Sequence, residues 1–538
     1  MTDVLPGPPP RRAETPAVEA TPPPPPPTSN GSPDPGAPTG PSDRASVVAR
    51  GGFANGIGSL VGVVLNMGLV VLVTRGYGAR GAGVFFGAMA LFMVIGNTAK
   101  LGGETGLVYA ISRRRSTRRH GEIPALILVG LLPALLAGAA SAVLLFVFAP
   151  QLAGLFTESG TEDAFARVVW VQAAFVPLWV VVYTLQGATR GFGRMKPTVT
   201  ENHIIRPALQ VVLMAVVVVA GGGLVALGLA WVLPLLVTTA LAARSVRVLL
   251  DGLPDDAVAT TPMRPLAREF WAFAGPRGAA ASLQITLERT GVLLVGGLAS
   301  AAAAGLYVAV TRVIGAFNLF FHSVGQALNP QISALLAHDE HDEAERLLRQ
   351  LTAWTMLLVT PALVVVSLFS DAVLGVFGAT FSGATPALLV LALTTLLSAP
   401  LAYLDNVLLM GGRSTLSLID TAVALALTIT GYVVLIPELG VTGAAIGWAA
   451  GLLGGRLLEL WQVWRSFRIH PLGAAVLTAT AVPILVVGGV GLAGRALLGA
   501  TLPAACVVGF VGLGVYAVVL RAQRDRWELG ELRRLVAR

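Results

Sequence analysis

Fourteen predominantly apolar stretches recur along the chain, each about 20 residues long, the length a helix needs to cross the hydrocarbon core of a bilayer. Their limits are 53–74, 84–110, 123–148, 168–188, 203–220, 224–243, 277–299, 303–330, 350–369, 384–409, 415–436, 443–464, 472–493 and 499–520. Lipid cannot satisfy backbone N–H and C=O groups, so long runs without strict alternation read as helices rather than barrel strands. The pattern predicts an all-α integral membrane protein with 14 transmembrane helices. Composition agrees, since 55% of residues are hydrophobic and only 12% charged, whereas a soluble domain carries about a quarter charged residues.

Charge placement orients these runs. Lys and Arg total 37 against 29 Asp and Glu, a net charge of +8. Nucleic-acid binding is not the expected use, because the basic residues sit between apolar runs instead of on one soluble face. One side collects Arg11, Arg12, Arg44 and Arg50, then Arg113, Arg114, Arg115, Arg118 and Arg119, then Arg190, Arg194 and Lys196, and later Arg244, Arg247, Arg346, Arg349, Arg413, Arg465 and Arg468. The other side holds Arg75, Arg80, Arg167 and Arg495 beside the acidic Glu158, Glu162 and Asp163. The positive-inside rule then predicts both termini in the cytoplasm of a plasma membrane protein. No cleavable signal peptide is expected before the first span.

Residues 1–47 are dense in Pro, Gly, Ser and Thr and nearly empty of large apolar side chains, which predicts a disordered cytoplasmic tail. Two basic segments carrying aromatic residues, "MRPLAREFWAFAG" at 263–275 and the chain from Arg521 to 538, read as interfacial and in contact with membrane lipids. The single cysteine, Cys506, forms no internal disulfide.

Sliding the chain against itself reveals a repeat. At an offset of 219, "GRMKPTVTE" from Gly193 meets "GRSTLSLID" from Gly412, pairing Glu201 with Asp420 and, further on, Gly221 with Gly440. At an offset of 222, "GAGVFF" from Gly81 faces "AAGLYV" from Ala303. An even number of helices per unit makes the repeat parallel. The expected layout is a tail (1–47), a six-helix lobe (48–247), a cytoplasmic linker (248–275), a second six-helix lobe (276–468), two further helices (469–520) and a basic C-terminal segment (521–538). A substrate path belongs between the lobes.

A charge near the bilayer centre costs at least about 2.5 kcal/mol, so each is expected to face a bundle interior or a wet cavity. Lys100 and Glu104 stand four apart in the second run and can neutralise one another. Arg206 and Arg312 have no acidic residue three or four positions away, and one falls in each proposed lobe. A cavity lined by such arginines prefers an anion, and the guanidinium fork suits a diphosphate. Arg289 joins the substrate-binding candidates, and Glu201, Glu288, Asp405 and Asp420 are candidates for coupling or gating. Glu201, Asp405 and Asp420, like Arg456 and Glu459, lie close to helix ends, where charged side chains reach the interface cheaply.

Other chemistry is missing from the sequence. There is no G-x-x-x-x-G-K-[ST] phosphate loop, no nucleophile set beside a base, and His338 and His341 lie in a charged loop that reads as a solvated helix start. Neither enzymatic activity nor a cofactor or metal is expected.

Four further stretches carry a resemblance: "TRGYGARGAGVFF", "LQGATRGFGRMKPT", "AGLYVAVTRVIGAFNLFFHSVGQALNPQIS" and "IPELGVTGAAIGWA". In this order over residues 48–520 the chain resembles the multidrug/oligosaccharidyl-lipid/polysaccharide exporter superfamily, and within it the Wzx-type oligosaccharide-lipid flippases. That resemblance implies a V-shaped pair of lobes moving an undecaprenyl-diphosphate-linked oligosaccharide by alternating access, for cell-surface polysaccharide biosynthesis. It also implies work alongside a polymerase or glycosyltransferases, and a monomer. The lipid II flippase branch is similar in the first two helices, where its pattern corresponds to Arg75, Lys100 and Glu104 and makes them cavity residues, although "GGETGLV" departs from that branch's usual wording. Lipid II transport, cation-coupled multidrug export and a membrane scaffold for glycan synthesis stand as alternative functions. With no ATP site, a membrane potential or a proton or sodium gradient is the expected driving force.

Overall fold

A computed structural model describes residues 41–254 and 262–522. The Pro-rich tail lies almost wholly outside these residues, as does the C-terminal segment beyond Ala522. The chain divides into two units, Met1–Gly52 and Phe53–Arg538. Only the start of the first helix belongs to the former, and all contacts below lie within the latter. Among the described residues every regular element is a helix.

The longest elements are interrupted where glycine allows it. α1 (Pro41–Ala99) breaks at Gly78, whose φ of 66° is open to a residue without Cβ, so two apolar runs meet with no intervening loop. α2 (Gly103–Ser116) continues the second run, and α3 (Ile123–Phe156) follows. α4 (Glu162–Ala173) and α5 (Val176–Gly191) form a crossing only as a pair bent by 45°. After the short α6 (Lys196–Val199), a π turn over Thr200–Ile205 leads into α7 (Arg206–Val219), then α8 (Leu224–Val232) and α9 (Pro234–Asp251). The second half comprises α10 (Met263–Leu298), α11 (Ala301–Ala337), α12 (His341–Leu368), α13 (Ser370–Gly375), α14 (Thr385–Ser398) and α15 (Leu404–Met410). α16 (Ser414–Phe467), broken at Gly440, precedes α17 (Ala474–Leu498) and α18 (Leu502–Ala522).

Ten helical stretches among the described residues are long and apolar enough to cross a membrane, or 11 with the bent pair. Two of them, Val64–Ser116 and Thr415–Phe467, contain the breaks at Gly78 and Gly440. α10 is not among the ten, because Gln284, Glu288 and Arg289 interrupt its apolar run. Large apolar side chains point outward, with Val219 88%, Leu497 84% and Phe510 82% exposed, a distribution suited to lipid and wrong for water. Inside, Phe92 sets its ring edge-on to Trp179 and to Trp231, each at 5.4 Å.

The sequence repeat recurs in the backbone. Gly193 and Gly412 both carry positive φ, and the same two bonds close the helix before each. Gly193 and Arg194 donate to the carbonyls of Arg190 and Thr189, and 219 residues later Gly412 and Arg413 donate to those of Leu409 and Leu408. Gly221 and Gly440 match likewise, at φ 70° and 54°. The offset of 222 appears as a contact: a Cβ on Gly83 would run into the Ala301 carbonyl, and a Cβ on Gly305 would run into the Ala79 carbonyl. Two segments that touch reciprocally in this way form the contact expected of a two-fold relation.

This Gly83 end is one seal between the two halves of the chain. At the other end α2 lies on α10, where a Cβ on Gly102 would meet the Ala274 carbonyl and one on Gly106 would sit 2.7 Å from the Phe270 ring. The segment 263–275 runs without interruption into α10, and it buries Leu266, Phe270 and Ala274. Gly278, beside Leu101, and Gly296, beside the Phe156 carbonyl, mark the two seals on α10. At 1.5 Å per residue they stand about 27 Å apart, close to the thickness of a hydrocarbon core.

Candidate functional site

Two cations pair with one carboxylate near the Gly102 end, and a third lies beside them. α1 stops at Ala99, Leu101 and Gly102 adopt positive φ, and α2 restarts with Glu104 in its first turn. Lys100 Nζ lies 2.7 Å from Glu104 Oε2, so the expected pairing forms, but across a break and not along one continuous helix. Arg190, at the end of α5, donates to Glu104 Oε1 at 2.5 Å. α5 approaches this closely because residue 187 is glycine, where a Cβ would collide with the Glu104 carbonyl. Lys100 also sits 4.5 Å from the centroid of the Tyr183 ring. Arg206 donates to the Tyr183 hydroxyl at 2.9 Å and lies over the rings of Trp179 and Tyr183 at 5.2 and 5.5 Å. Lys100, Glu104 and Arg190 each keep part of their surface exposed. One carboxylate among three cations leaves the cluster with two positive charges in excess.

Arg289 and Arg312 form a second positive group, on α10 and α11. Both are half-buried and close enough to repel one another electrostatically. The nearest acid, Glu288, is exposed and lies 3.5 Å from Gln284 Nε2, while Arg289 Nε has no hydrogen-bond partner. Arg312 lies past Gly305, and Arg289 before Gly296, by about 10 Å of helix in each case, so both stand at similar depth between the seals. Among the described residues no ion pair within 4.0 Å joins Arg206, Arg289 or Arg312 to an acid.

The remaining candidates lie elsewhere. Arg75 is at the Gly83 end, exposed, with its Nε donating to the Val376 carbonyl at 2.8 Å, and helix on the order of 30 Å long separates it from Lys100. Glu201 is buried in the π turn and accepts from Gln186 Nε2 at 2.8 Å. Asp420 is buried and accepts from Gln462 Nε2 at 2.6 Å, its other oxygen unpartnered. Asp405, held by Ser417, and Glu459, 2.7 Å from Arg456, act on Asp420 electrostatically. Gln186 with Glu201 and Asp405 with Asp420 are the same two positions 219 residues apart. Self-comparison found the second member of each pair and missed the first.

Arg190, Tyr183 and Trp179 complete the first cluster without having been singled out in the sequence. Arg190 stands in a run of basic residues that positive-inside counting fully explains, and nothing local ties it to a glutamate 86 positions earlier. Spacings of four, three and four from Arg190 through Gln186 to Tyr183 and Trp179, one face of α5, were the available signal.

An all-helical body with an apolar exterior, two glycine-packed seals and charged side chains between them defines a multi-pass membrane protein of transporter architecture. The chain belongs to the polysaccharide biosynthesis protein family, whose sequence model matches residues 85–386. It is 28% identical over 159 residues to the probable low-salt glycan biosynthesis flippase Agl15 of Haloferax volcanii, a match covering 29% of this chain and 34% of that protein. It thus spans about a third of the length of that curated relative. Two solved structures share the fold. Lipid II flippase MurJ in an inward closed conformation superposes with TM-score 0.68 at 12% identity, covering 88% of this chain and 99% of that one. A multidrug resistance MATE family transporter of the MOP superfamily, inward-facing, gives 0.64 at 17%, covering 75% and 94%.

Proposed function

We propose that this protein is a flippase, not an enzyme, that carries a diphosphate-linked oligosaccharide lipid across the cytoplasmic membrane between two six-helix lobes. Counting α1 with α2 and α16 as two crossings each, α4 with α5 as one, and adding α10 gives 14 crossings with both termini cytoplasmic. The Gly102 end, which carries Arg113, Arg114, Arg115, Arg118 and Arg119, is then the inner end. Family membership supports transport of a glycan precursor, and the offsets recurring in backbone and contacts support the paired lobes.

The observation that carries the substrate assignment is the excess of positive charge between the seals. A drug cation would be repelled by Lys100, Arg190, Arg206, Arg289 and Arg312, whereas a diphosphate would satisfy several of them at once. Glu104 then acts as an internal anion that keeps Lys100 and Arg190 aligned until a headgroup replaces it. Lipid II is a diphosphate lipid of the same kind, and the near-complete coverage of the MurJ fold favours it as the second reading.

Translocation of a fluorescent diphosphate-linked saccharide lipid in proteoliposomes tests this directly. Arg190→Ala is expected to weaken half-saturating substrate concentration by roughly 30-fold or more, as loss of one charge-assisted contact does, and Arg190→Lys to recover part of it. An unchanged half-saturation value would remove Arg190 from the site. For the driving force, Asp420 with Asp405 and Glu459 is the candidate coupling group, and membrane lipid, the substrate and a polymerase or glycosyltransferases of the same pathway are the proposed partners of a monomer. Collapsing the imposed potential or ion gradient with an ionophore is expected to slow translocation, and Asp420→Asn to make the remaining rate insensitive to the ionophore.

A further inference from the structure

At the Gly102 end lies a charged cluster that the transport site does not use. Arg114, on α2, is 5% exposed and carries two carboxylates. Its Nε donates to Glu122 Oε2 at 2.5 Å, and its two terminal nitrogens donate to Glu269 Oε1 and Oε2 at 3.2 and 2.7 Å. Arg113 adds a second cation 3.8 Å from Glu269. The two acids differ in kind. Glu122 is 1% exposed and sits in the turn directly after α2, so its bond with Arg114 stays within one part of the fold. Glu269 is half-exposed and belongs to α10, so its bond spans the α2–α10 seal. Around it Tyr109 of α2 and Phe273 of α10 stack with centroids 4.0 Å apart.

A planar fork holding a carboxylate through two parallel bonds presents the geometry that receives a phosphate group. We infer that Arg113 and Arg114 are a loading subsite for a diphosphate lipid headgroup at the inner end. Glu269 occupies the subsite when it is empty, and the arriving headgroup displaces Glu269 and releases α2 from α10. The inference rests on the flippase reading for the source of the headgroup. Loading and opening become one event, since the anion that binds Arg114 removes the contact that holds the seal. The Arg114 bond to Glu122 keeps the guanidinium aimed while its other partner changes.

The test uses the full chain with Cys506, its single cysteine, replaced by alanine, and with Tyr109→Cys and Phe273→Cys introduced as a reporter pair. Disulfide yield is read in phosphatidylcholine nanodiscs, and spin labels at the same two positions give the separation independently if the pair does not oxidise. Glu269→Gln is expected to lower the yield about fivefold without any ligand, the factor equivalent to ~1 kcal/mol, while Glu269→Asp keeps it. Farnesyl diphosphate is expected to lower the yield in the parent and to do nothing further in Glu269→Gln. Inorganic pyrophosphate lowering the yield as well would place recognition in the diphosphate alone. No response to pyrophosphate would place it in the lipid diphosphate. An equal response to phosphatidylglycerol added to the nanodiscs would overturn the diphosphate assignment, because bulk lipid charge would suffice. An unchanged yield in Glu269→Gln would overturn the latch whatever the substrate is. A latch that responds to Glu269→Gln but not to farnesyl diphosphate would overturn the loading subsite. None of these outcomes depends on Arg206 and Arg312, so failure here is distinguishable from failure of the flippase reading.

Discussion

Replacing Arg206 and Arg312 together by alanine is expected to abolish translocation, with the protein still made, inserted and monodisperse. Each side chain lies in a predominantly apolar helix and, among the described residues, forms no ion pair with an acid within 4.0 Å. Such a placement is retained only where the charge meets something that arrives. Truncating one partner of a desolvated charge contact costs ~2–5 kcal/mol, so losing both lowers the rate on the order of a thousandfold or more. The two variants test different physics. Arg206 also covers Trp179 and donates to Tyr183, so Arg206→Ala removes packing with the charge. Arg312 repels Arg289, so Arg312→Ala should relieve strain in the empty protein and raise its melting temperature while lowering transport. Lysine at both positions keeps the charge without the fork and is expected to retain part of the rate. The measurement is initial flipping rate in proteoliposomes beside thermal unfolding in detergent. A double alanine variant with the parent rate would end the anionic-site assignment.

The helical elements were legible because a bilayer leaves few choices. Twenty apolar residues in lipid can only be a helix, and the alternation of basic and acidic loops orders them. The repeat was legible for a related reason: Gly193 and Gly412, and Gly221 and Gly440, sit where the backbone needs positive φ, and side-chain drift leaves such positions alone. Half of the first cluster was legible too, since Lys100 and Glu104 are costly in lipid and therefore conspicuous. Its other half was hidden. Arg190 is charged where charge is ordinary, near a helix end on the basic side, and only the fold shows that it turns inward to Glu104. The same holds for Arg114, which reads as one of five arginines in a basic stop yet is buried between two carboxylates. Topological charge and functional charge use the same residue at the same depth, and periodicity cannot separate them. Arg75 marks the converse limit. A motif correspondence joins it to Lys100 and Glu104, whereas the helix geometry sets it at the far seal, against Val376.

The second large effect is expected at that far seal. Gly83→Val should loosen the Gly83 end and shift the protein toward a state open on that side, because the new Cβ would run into the Ala301 carbonyl, a backbone atom that cannot rotate away. Overpacking of this kind costs ~1–3 kcal/mol, equivalent to about a 5- to 150-fold change in the ratio of open to closed. Gly305→Val meets the Ala79 carbonyl and should give a shift of similar size, since the two glycines occupy reciprocal positions in one contact. Combining them should add little. Once either valine has parted α1 from α11, the second finds the space already made, and perturbations that share one contact are not additive. The seal at the Gly102 end behaves differently, because charge holds it as well as packing, and added salt should weaken the Arg113 and Arg114 bonds to Glu269 while leaving the Gly83 contact unaffected. Labelling of a cysteine placed at Arg75, in the Cys506→Ala background, by a membrane-impermeant thiol reagent reads the far end directly. Rates that rise in both single variants and no further in the double establish one shared contact as the pivot on which that end closes. Independent, additive increases would show two separate contacts and would remove the two-fold relation from the Gly83 end.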